Sequence, residues 1–315
     1  MTVLITGATG AFGRLVIAQL LAAGAAVRAV SRSTQRSGLP DEVELAVGDP
    51  SQPGTMAACF DGVEAVFLHP RTFGGSADRL LSVAAEQGVR RVVALSAMNI
   101  GDPYELQPSR WRGDRNKEAE EAAVASGLAW TSLRASSFAA NTAQAWGAQI
   151  RAGDVVRYVH AGFRESVLDE RDLAEVAARA LLTGDRAEAG VAARMSPAGD
   201  LAGRGLETTG DLTGRRLELT GPQSLSHEEM VAVIAAALGR PLRFEEVPPQ
   251  VVAAHLTANG LPEAFVRALL ARYERYLDRE QNPVTGEVDR ILGRPARTYA
   301  DWVADHLAAF GDVTR

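Results

Sequence analysis

A single cysteine, Cys59, stands in the 315 residues, so no disulfide can close within the chain. Set among small apolar residues, its thiol reads as core and not as a nucleophile. No apolar run reaches the length of about 20 residues that a membrane span needs. Nothing resembling a secretory leader precedes the first apolar strand. Positive charge is not in excess either: 33 Lys and Arg face 39 Asp and Glu, for a net charge of −6. That balance argues against a basic surface able to hold a phosphate backbone, and so against nucleic acid as the main partner. There is no internal repeat, and no metal is expected. The expectation is a soluble, cytoplasmic protein whose partner is a small molecule. It is long enough to bury a large core in one domain, or in one domain with a smaller lobe.

What is present begins at the first residues. Thr2-Val3-Leu4-Ile5-Thr6 is a short apolar run with β-branched residues, the composition of a buried strand. Gly7-Ala8-Thr9-Gly10-Ala11-Phe12-Gly13 follows, and residues 14–21 then carry helical spacing. A strand that feeds a glycine-rich turn opening a helix is a site for an anion. The turn must be tight, the backbone must admit a pyrophosphate, and the free N–H groups of the helix start must face it. The spacing is G-x-x-G-x-x-G, not G-x-G-x-x-G. Thr6, Gly7, Thr9, Gly10, Ala11, Phe12 and Gly13 are therefore the first candidate cofactor residues.

Further strands follow at 27–31, 43–47, 65–68, 91–96 and 129–134, separated by helical stretches at 77–87 and 119–125. The alternation predicts a Rossmann-type, doubly wound parallel α/β sheet. Arg32 ends the second strand, where such a fold faces the adenosine ribose. A carboxylate there would favour NAD, whereas an arginine can pair with a 2′-phosphate, so Arg32, with Arg36 nearby, points to NADPH. Asp49 ends the third strand, placed either to accept from the adenine amino group or to cap a helix that follows Pro50. Leu68 and His69 leave the fourth strand at the ligand side, and Ser96 closes the fifth.

Beyond Phe138 the pattern loosens. A helix is expected over 141–151, extended pieces at 155–159 and 165–168, and a helix over 171–182 opened by Asp169 or Glu170. Asp169, Glu170 and Asp172 read as helix-capping acids. Residues 184–214 read as a flexible insertion. A strand at 216–220, a capping box at Ser226-His227-Glu228-Glu229, a strand at 242–247 and helices from Pro249, from Pro262 to about 278 and over 301–310 complete the chain. The expected division is 1–150 for the dinucleotide-binding domain and 151–315 for a smaller α/β substrate lobe, the two forming one integrated unit.

Together these residues resemble a known group. The glycine turn, Arg32, Gly48-Asp49, Ser96, Ser126-Gly127-Leu128-Ala129-Trp130-Thr131, Leu133-Arg134, Phe138, Asn141, Leu219-Thr220-Gly221-Pro222 and Gly293-Arg294-Pro295-Ala296-Arg297-Thr298 are similar to those of atypical short-chain dehydrogenase/reductases. The branch is the NmrA-like one, which includes NADPH-dependent quinone reductases. The resemblance implies NADPH as cofactor and runs along nearly the whole chain outside 184–214. One departure bears on mechanism. The wider superfamily carries Tyr-x-x-x-Lys on the helix before the sixth strand. Here one register puts Arg112 and Asn116 at the two places, and the other puts Gly113 and Lys117 there.

A missing phenol removes a general acid. A plain ketone then has no donor for its alkoxide, whereas a quinone yields a phenol-like anion, with a pKa of roughly 10, that can wait for water. The expected reaction is hydride transfer to a quinone or a conjugated aromatic carbonyl. Ser96 is a candidate donor to the acceptor oxygen, or else a strand-end serine bonded locally. Asn116 and Lys117 are candidates for the nicotinamide ribose or proton transfer, or else exposed helix residues. Phe138 and Asn141 are the candidate substrate-side residues, Phe138 being also a candidate for the core. The competing reading is a dinucleotide sensor that binds NADP(H) and turns nothing over.

Overall fold

A computed structural model of the chain describes residues 1–36, 38–183, 210–277 and 283–311. The first six strands are β1 (Thr2–Ile5), β2 (Ala26–Ser31), β3 (Glu44–Val47), β4 (Ala65–Leu68), β5 (Arg91–Ala97) and β6 (Ala129–Ala135). Two short strands outside this sheet come next, β7 (Val155–Tyr158) and β8 (Arg164–Glu165), and β9 (Arg215–Leu219) returns to it. All seven members are parallel, in the order β3-β2-β1-β4-β5-β6-β9.

The central strands β1, β4 and β5 are buried on both faces, which is why they read as apolar runs, whereas the edge strand β9 alternates. Val3 and Ile5 point into one core layer with Ala65 and Phe67, and Leu4 points into the other with Val66 and Leu68. Helix α1 (Ala11–Ala22) fills the first layer with Val16, Ile17 and Leu20. Helices α2 (Ala77–Glu86) and α3 (Asn116–Ala125) fill the second with Leu80, Leu81, Ala119 and Ala123. Cys59 lies in that second layer, buried. Helix α4 (Ala140–Ala152) leaves the sheet, and α5 (Glu170–Leu182) returns to lie beside α1.

A second core gathers around Trp146 of α4, Tyr158 of β7 and Phe163. It also takes in α6 (His227–Leu238), α7 (Pro249–Ala258) and α8 (Glu263–Arg275). Strand β10 (Leu225–Ser226) pairs antiparallel with β8, and β11 (Arg243–Glu246) pairs parallel with β7. A division at residue 150 therefore does not separate the layers: α5 and β9 come later in the chain yet pack into the first. The reason is that β6 needs a neighbour and α1 needs cover on its flank, and the chain supplies both only after an excursion.

Helix α9 (Glu287–Leu292) packs on α5, and α10 (Tyr299–Asp305) on α6. Between them, the Gly293–Thr298 stretch is explained by Asp172 of α5, which is 0% exposed. Its carboxylate accepts from the Arg294 guanidinium at 2.8 Å, from the Arg297 backbone N–H at 2.7 Å and from the Arg297 guanidinium. Asp169 does cap α5, accepting from Arg171 N–H at 2.8 Å, but Asp172 is an anchor for the C-terminal segment and not a cap. The last helix starts earlier than expected because Thr298 and Asp301 form a capping box, and a short 3-10 turn at Leu307–Ala309 replaces its expected end. Of the expected insertion, 184–209 lies outside the described residues. Residues 210–214 are fixed: Leu212 is buried and its carbonyl accepts from Thr131 Oγ1 at 3.0 Å. Among the described residues, no helix is long and apolar enough to cross a membrane.

Candidate active site

The sheet order reverses between β1 and β4, and a ligand of an open parallel sheet sits beyond the strand ends at such a point. Thr6 holds that point together. Its hydroxyl donates to the Phe67 carbonyl at 2.9 Å and accepts from His69 N–H at 2.8 Å. Thr6 and Leu68 are thus buried supports and not part of the cleft wall.

The turn then runs from Gly7 into α1. Gly7 has φ +71°, and a Cβ there would stand 2.9 Å from the His69 ring. Gly10 is the N-cap of α1 and no side chain caps the helix. The first bond back to the cap is Arg14 N–H to Gly10 O at 3.1 Å. A Cβ on Gly13 would lie 2.3 Å from the Gly7 carbonyl oxygen. Helix and turn touch backbone to backbone, so the uncapped first-turn N–H groups and the positive end of the helix dipole stand at the cleft. Gly7, Thr9, Gly10, Ala11 and Phe12 line it, while Gly13 is the packing contact behind. This cradle fits a dinucleotide pyrophosphate.

Beyond the ends of β2 and β3, Ser31, Arg32, Ser33 and Asp49 line the cleft. Arg32 is exposed and forms no ion pair among the described residues. Arg36 does not join it. Its guanidinium donates to the carbonyls of Pro40 at 2.6 Å and Val43 at 2.8 Å, and it faces Asp41. Asp49 uses Oδ1 to accept from the Ser51 N–H and hydroxyl, at 2.9 and 2.7 Å, so it closes a turn and not the helix expected after Pro50; the short 3-10 helix Pro53–Thr55 follows Gln52 instead.

His69, Ser96, Asn116, Phe138 and Asn141 line the middle of the same cleft. Burial lowers the His69 ring to about 4, against the raising effect of Asp114, so it is neutral at pH 7. Ser96 is 2% exposed and its hydroxyl donates to the Asn116 carbonyl at 3.2 Å. Its proton is committed to α3, which favours the local role over that of a donor to substrate. Asn116 in turn donates to Ser109 Oγ at 3.1 Å. Lys117 is not in the cleft: it faces Glu121 at 3.9 Å and the Tyr104 ring. Phe138 stacks on Phe12, with centroids 6.2 Å apart, so it is both cleft wall and core edge. Asn141 donates to Ser137 Oγ at 3.2 Å. Tyr104, 46% exposed beneath the Arg110 guanidinium, stands outside the cleft.

The cleft, of about 1240 Å³, continues into the second core, where it meets residues the linear reading gave no role. Trp146 of α4, Tyr158 of β7, Glu165 of β8, His227 of α6, and Arg272 and Tyr273 of α8 line its inner end. Their rings form a chain of edge contacts: Trp146 on Tyr158 at 5.8 Å, Tyr158 on Tyr273 at 6.2 Å and His227 on Tyr273 at 5.2 Å. Burial pushes the Tyr158 hydroxyl up to about 12 and holds that of Tyr273 well above the usual phenol range. Burial also lowers His227 to about 4, so its ring is neutral, and Nδ1 donates to the Val159 carbonyl at 3.0 Å. No short motif joins these residues, because five separate elements supply them.

Against known proteins, the family described as NAD(P)H-binding matches residues 7–183. The chain is 33% identical over 310 residues to the (4-alkanoyl-5-oxo-2,5-dihydrofuran-3-yl)methyl phosphate reductase of Streptomyces griseus subsp. griseus, covering 98% of this chain and 99% of that protein. It is 27% identical over 314 residues to the NAD(P)H azoreductase of Xenophilus azovorans, again covering 98% and 99%. Among solved structures, the NADPH-dependent quinone oxidoreductase of Escherichia coli complexed with NADPH superposes with a TM-score of 0.74 at 19% identity, over 97% of this chain and 99% of that one. The NADP(H) complex of Citrobacter sp. triphenylmethane reductase gives 0.71 at 17% identity, over 96% and 100%. These two share the fold.

Proposed function

This chain belongs to the NAD(P)H-binding family, in the NmrA-like branch of atypical short-chain dehydrogenase/reductases, and on that premise we propose that it is an NADPH-dependent reductase of quinones or conjugated aromatic carbonyls. Full-length relatives are named reductases, so the enzyme reading displaces that of a sensor. NADPH, when bound, supplies the hydride. The chain's own part is to bind, orient and keep water away. The turn at Gly7 and the first N–H groups of α1 take the pyrophosphate, Arg32 takes the 2′-phosphate, and Phe138 and Asn141 stand on the acceptor side. The second core, with the inner cleft, is the substrate lobe.

The preference for NADPH rests on Arg32, an exposed cation that lines the cleft beside Ser31 and Ser33 and forms no ion pair among the described residues. Arg32→Glu is expected to raise the KM for NADPH by about 10- to 100-fold, the worth of a charge-assisted contact of roughly 1.5–3 kcal/mol, and to leave that for NADH within a few-fold. Steady-state kinetics with both cofactors checks it. Equal losses for the two would place Arg32 off the ribose.

The acceptor class rests on one observation: the tyrosines that reach the cleft are poor acids. A hydroxyl raised to about 12, as that of Tyr158 is, donates a hydrogen bond well and gives up its proton badly. Such a site suits acceptors whose reduced form is a stabilised anion. The Streptomyces relative supports this, being named for an oxo-dihydrofuran that carries an alkanoyl group, itself a conjugated carbonyl compound. In an NADPH oxidation screen, kcat/KM for 1,4-naphthoquinone is expected to exceed that for cyclohexanone by about 100-fold or more, the usual worth of a missing general acid. Brisk reduction of cyclohexanone with quinones inert would sink the proposal.

A further inference from the structure

The inner end of the cleft holds two hydrogen-bond donors with nothing to donate to. Trp146 is 2% exposed, and its indole Nε1 has no acceptor among the described residues. Nε of Arg272 is buried and equally without a partner, and its guanidinium closes no ion pair among the described residues. Arg272 as a whole is half-buried, but an N–H held out of water without an acceptor is costly. Neither is explained by packing, for which an apolar side chain would serve.

The neighbours do not supply what is missing. Glu165 lines the same end, yet it makes no ion pair with Arg272, and burial pushes its carboxyl up against the lowering effects of Arg272 and Ser137. The Tyr273 hydroxyl is in hydrogen-bonding reach of Tyr158 and donates to it, so its proton is spent. His227 is occupied by the Val159 carbonyl. The remaining wall, formed by Met230, Leu256, Phe265 and Leu269, is apolar. This end therefore carries unspent donors, and a guanidinium with no ion-pair partner among the described residues, beside an apolar wall. The absent partner must bring oxygen acceptors and negative charge on an apolar body.

We propose that Arg272 and Trp146 form an anion subsite that receives a carboxylate or phosphate monoester carried by the acceptor substrate at the end remote from its reducible group. The inference rests on the reading of the cleft as a cofactor-plus-acceptor site and narrows that acceptor to an acid. A planar guanidinium suits two oxygens of either group, and the indole N–H suits a further lone pair. Arg272 does not reach the reacting atoms on this account; it positions the acceptor.

The test separates binding from turnover. 4-(Naphthalen-2-yl)butanoate, its methyl ester, and the phosphate monoester of 4-(naphthalen-2-yl)butan-1-ol are titrated calorimetrically into the NADP⁺-loaded protein. At least one acid is expected to bind about tenfold or more tightly than the ester, and the ranking of carboxylate against phosphate tells which is preferred. Arg272→Gln is expected to abolish the preference, Arg272→Lys to keep part of it, and Trp146→Phe to weaken the acids several-fold while leaving the ester unchanged. With quinones bearing the same side chains, the loss should fall on KM and spare kcat. Acids that bind no better than the ester to the wild type, or a preference that survives Arg272→Gln, overturn the proposal. Should Arg272→Gln fail to fold, the wild-type comparison and Trp146→Phe decide. Selective acid binding without reduction of any quinone would sink the acceptor class proposed above and leave the subsite standing.

Discussion

Gly13→Ala is expected to abolish dinucleotide binding, raising the Kd for NADPH by about 100-fold or more. The added methyl would meet the Gly7 carbonyl oxygen at 2.3 Å, the Gly7 carbonyl carbon at 2.9 Å and Ala8 Cα at 3.0 Å. All three are backbone atoms, so no side chain can swing aside. Relief requires α1 to move off the turn, but Val16, Ile17 and Leu20 pin that helix into the core. Movement of about 1 Å at a site that binds through fixed N–H groups costs on the order of two decades. Gly24 supplies the control. It has φ +75°, and nothing lies within 4 Å of its would-be Cβ. Gly24→Ala should therefore cost only the roughly 1–2 kcal/mol of an unfavourable backbone angle and leave cofactor affinity intact. Calorimetric NADPH binding, with thermal melts of both variants, checks the pair. Near-normal affinity in Gly13→Ala would mean that the turn is not the cradle.

The second large effect belongs to Glu120, on the helix that carries Asn116. Its side chain is 4% exposed, yet it faces four donors on the neighbouring strands. The Ser132 hydroxyl donates at 2.6 Å, Arg134 donates twice at 2.9 and 2.7 Å, and Arg216 donates at 2.7 Å. Burial works against the charge, but the hydrogen bonds from Arg134, Ser132 and Arg216 outweigh it and hold the carboxyl at about 2. Against an ordinary value of 4.5, that amounts to about 3 kcal/mol of stability at neutral pH. The folded value lies below the unfolded one, so the contribution is complete above pH 4.5 and is lost as pH falls towards 2. Glu120→Gln is expected to lower the melting point by roughly 5–10 °C at pH 7. The gap between variant and wild type should shrink by more than half near pH 3. Denaturant melts across that range measure it. A gap that is constant with pH would assign the loss to packing and not to charge.

Part of this was legible in the chain. Residues 2–16 carry their own explanation: a buried strand, glycines where backbone must pass backbone, and a helix whose free end meets an anion. Those demands act between neighbours a few residues apart, so spacing alone reveals them. The same holds for the strand–helix alternation up to residue 134, for the capping box at Ser226 and for Cys59 in the core. Arg32 was legible because strand ends in a parallel sheet have a fixed relation to the ligand.

Choices between nearby groups were not legible. Arg32 and Arg36 are the same residue type four positions apart, and only the closing of the loop onto Pro40 and Val43 removes the second from the cleft. Ser96, Asn116 and Lys117 looked equally available, until the start of α3 put the Asn116 carbonyl under the Ser96 hydroxyl and turned Lys117 outward. The place of α5 and β9 was hidden for a similar reason, since both follow residue 150 yet answer to the sheet and not to chain order.

The inner cleft shows the difference most plainly. Trp146 and Arg272 lie 126 positions apart in the sequence and share a wall only because α4, β7, β8, α6 and α8 enclose one core. By itself the sequence determined the dinucleotide half, where function is written by local backbone geometry. Only the tertiary structure decided the acceptor half. There the chemistry depends on which side chains face one cavity and which donors are left unspent, and long-range packing sets both.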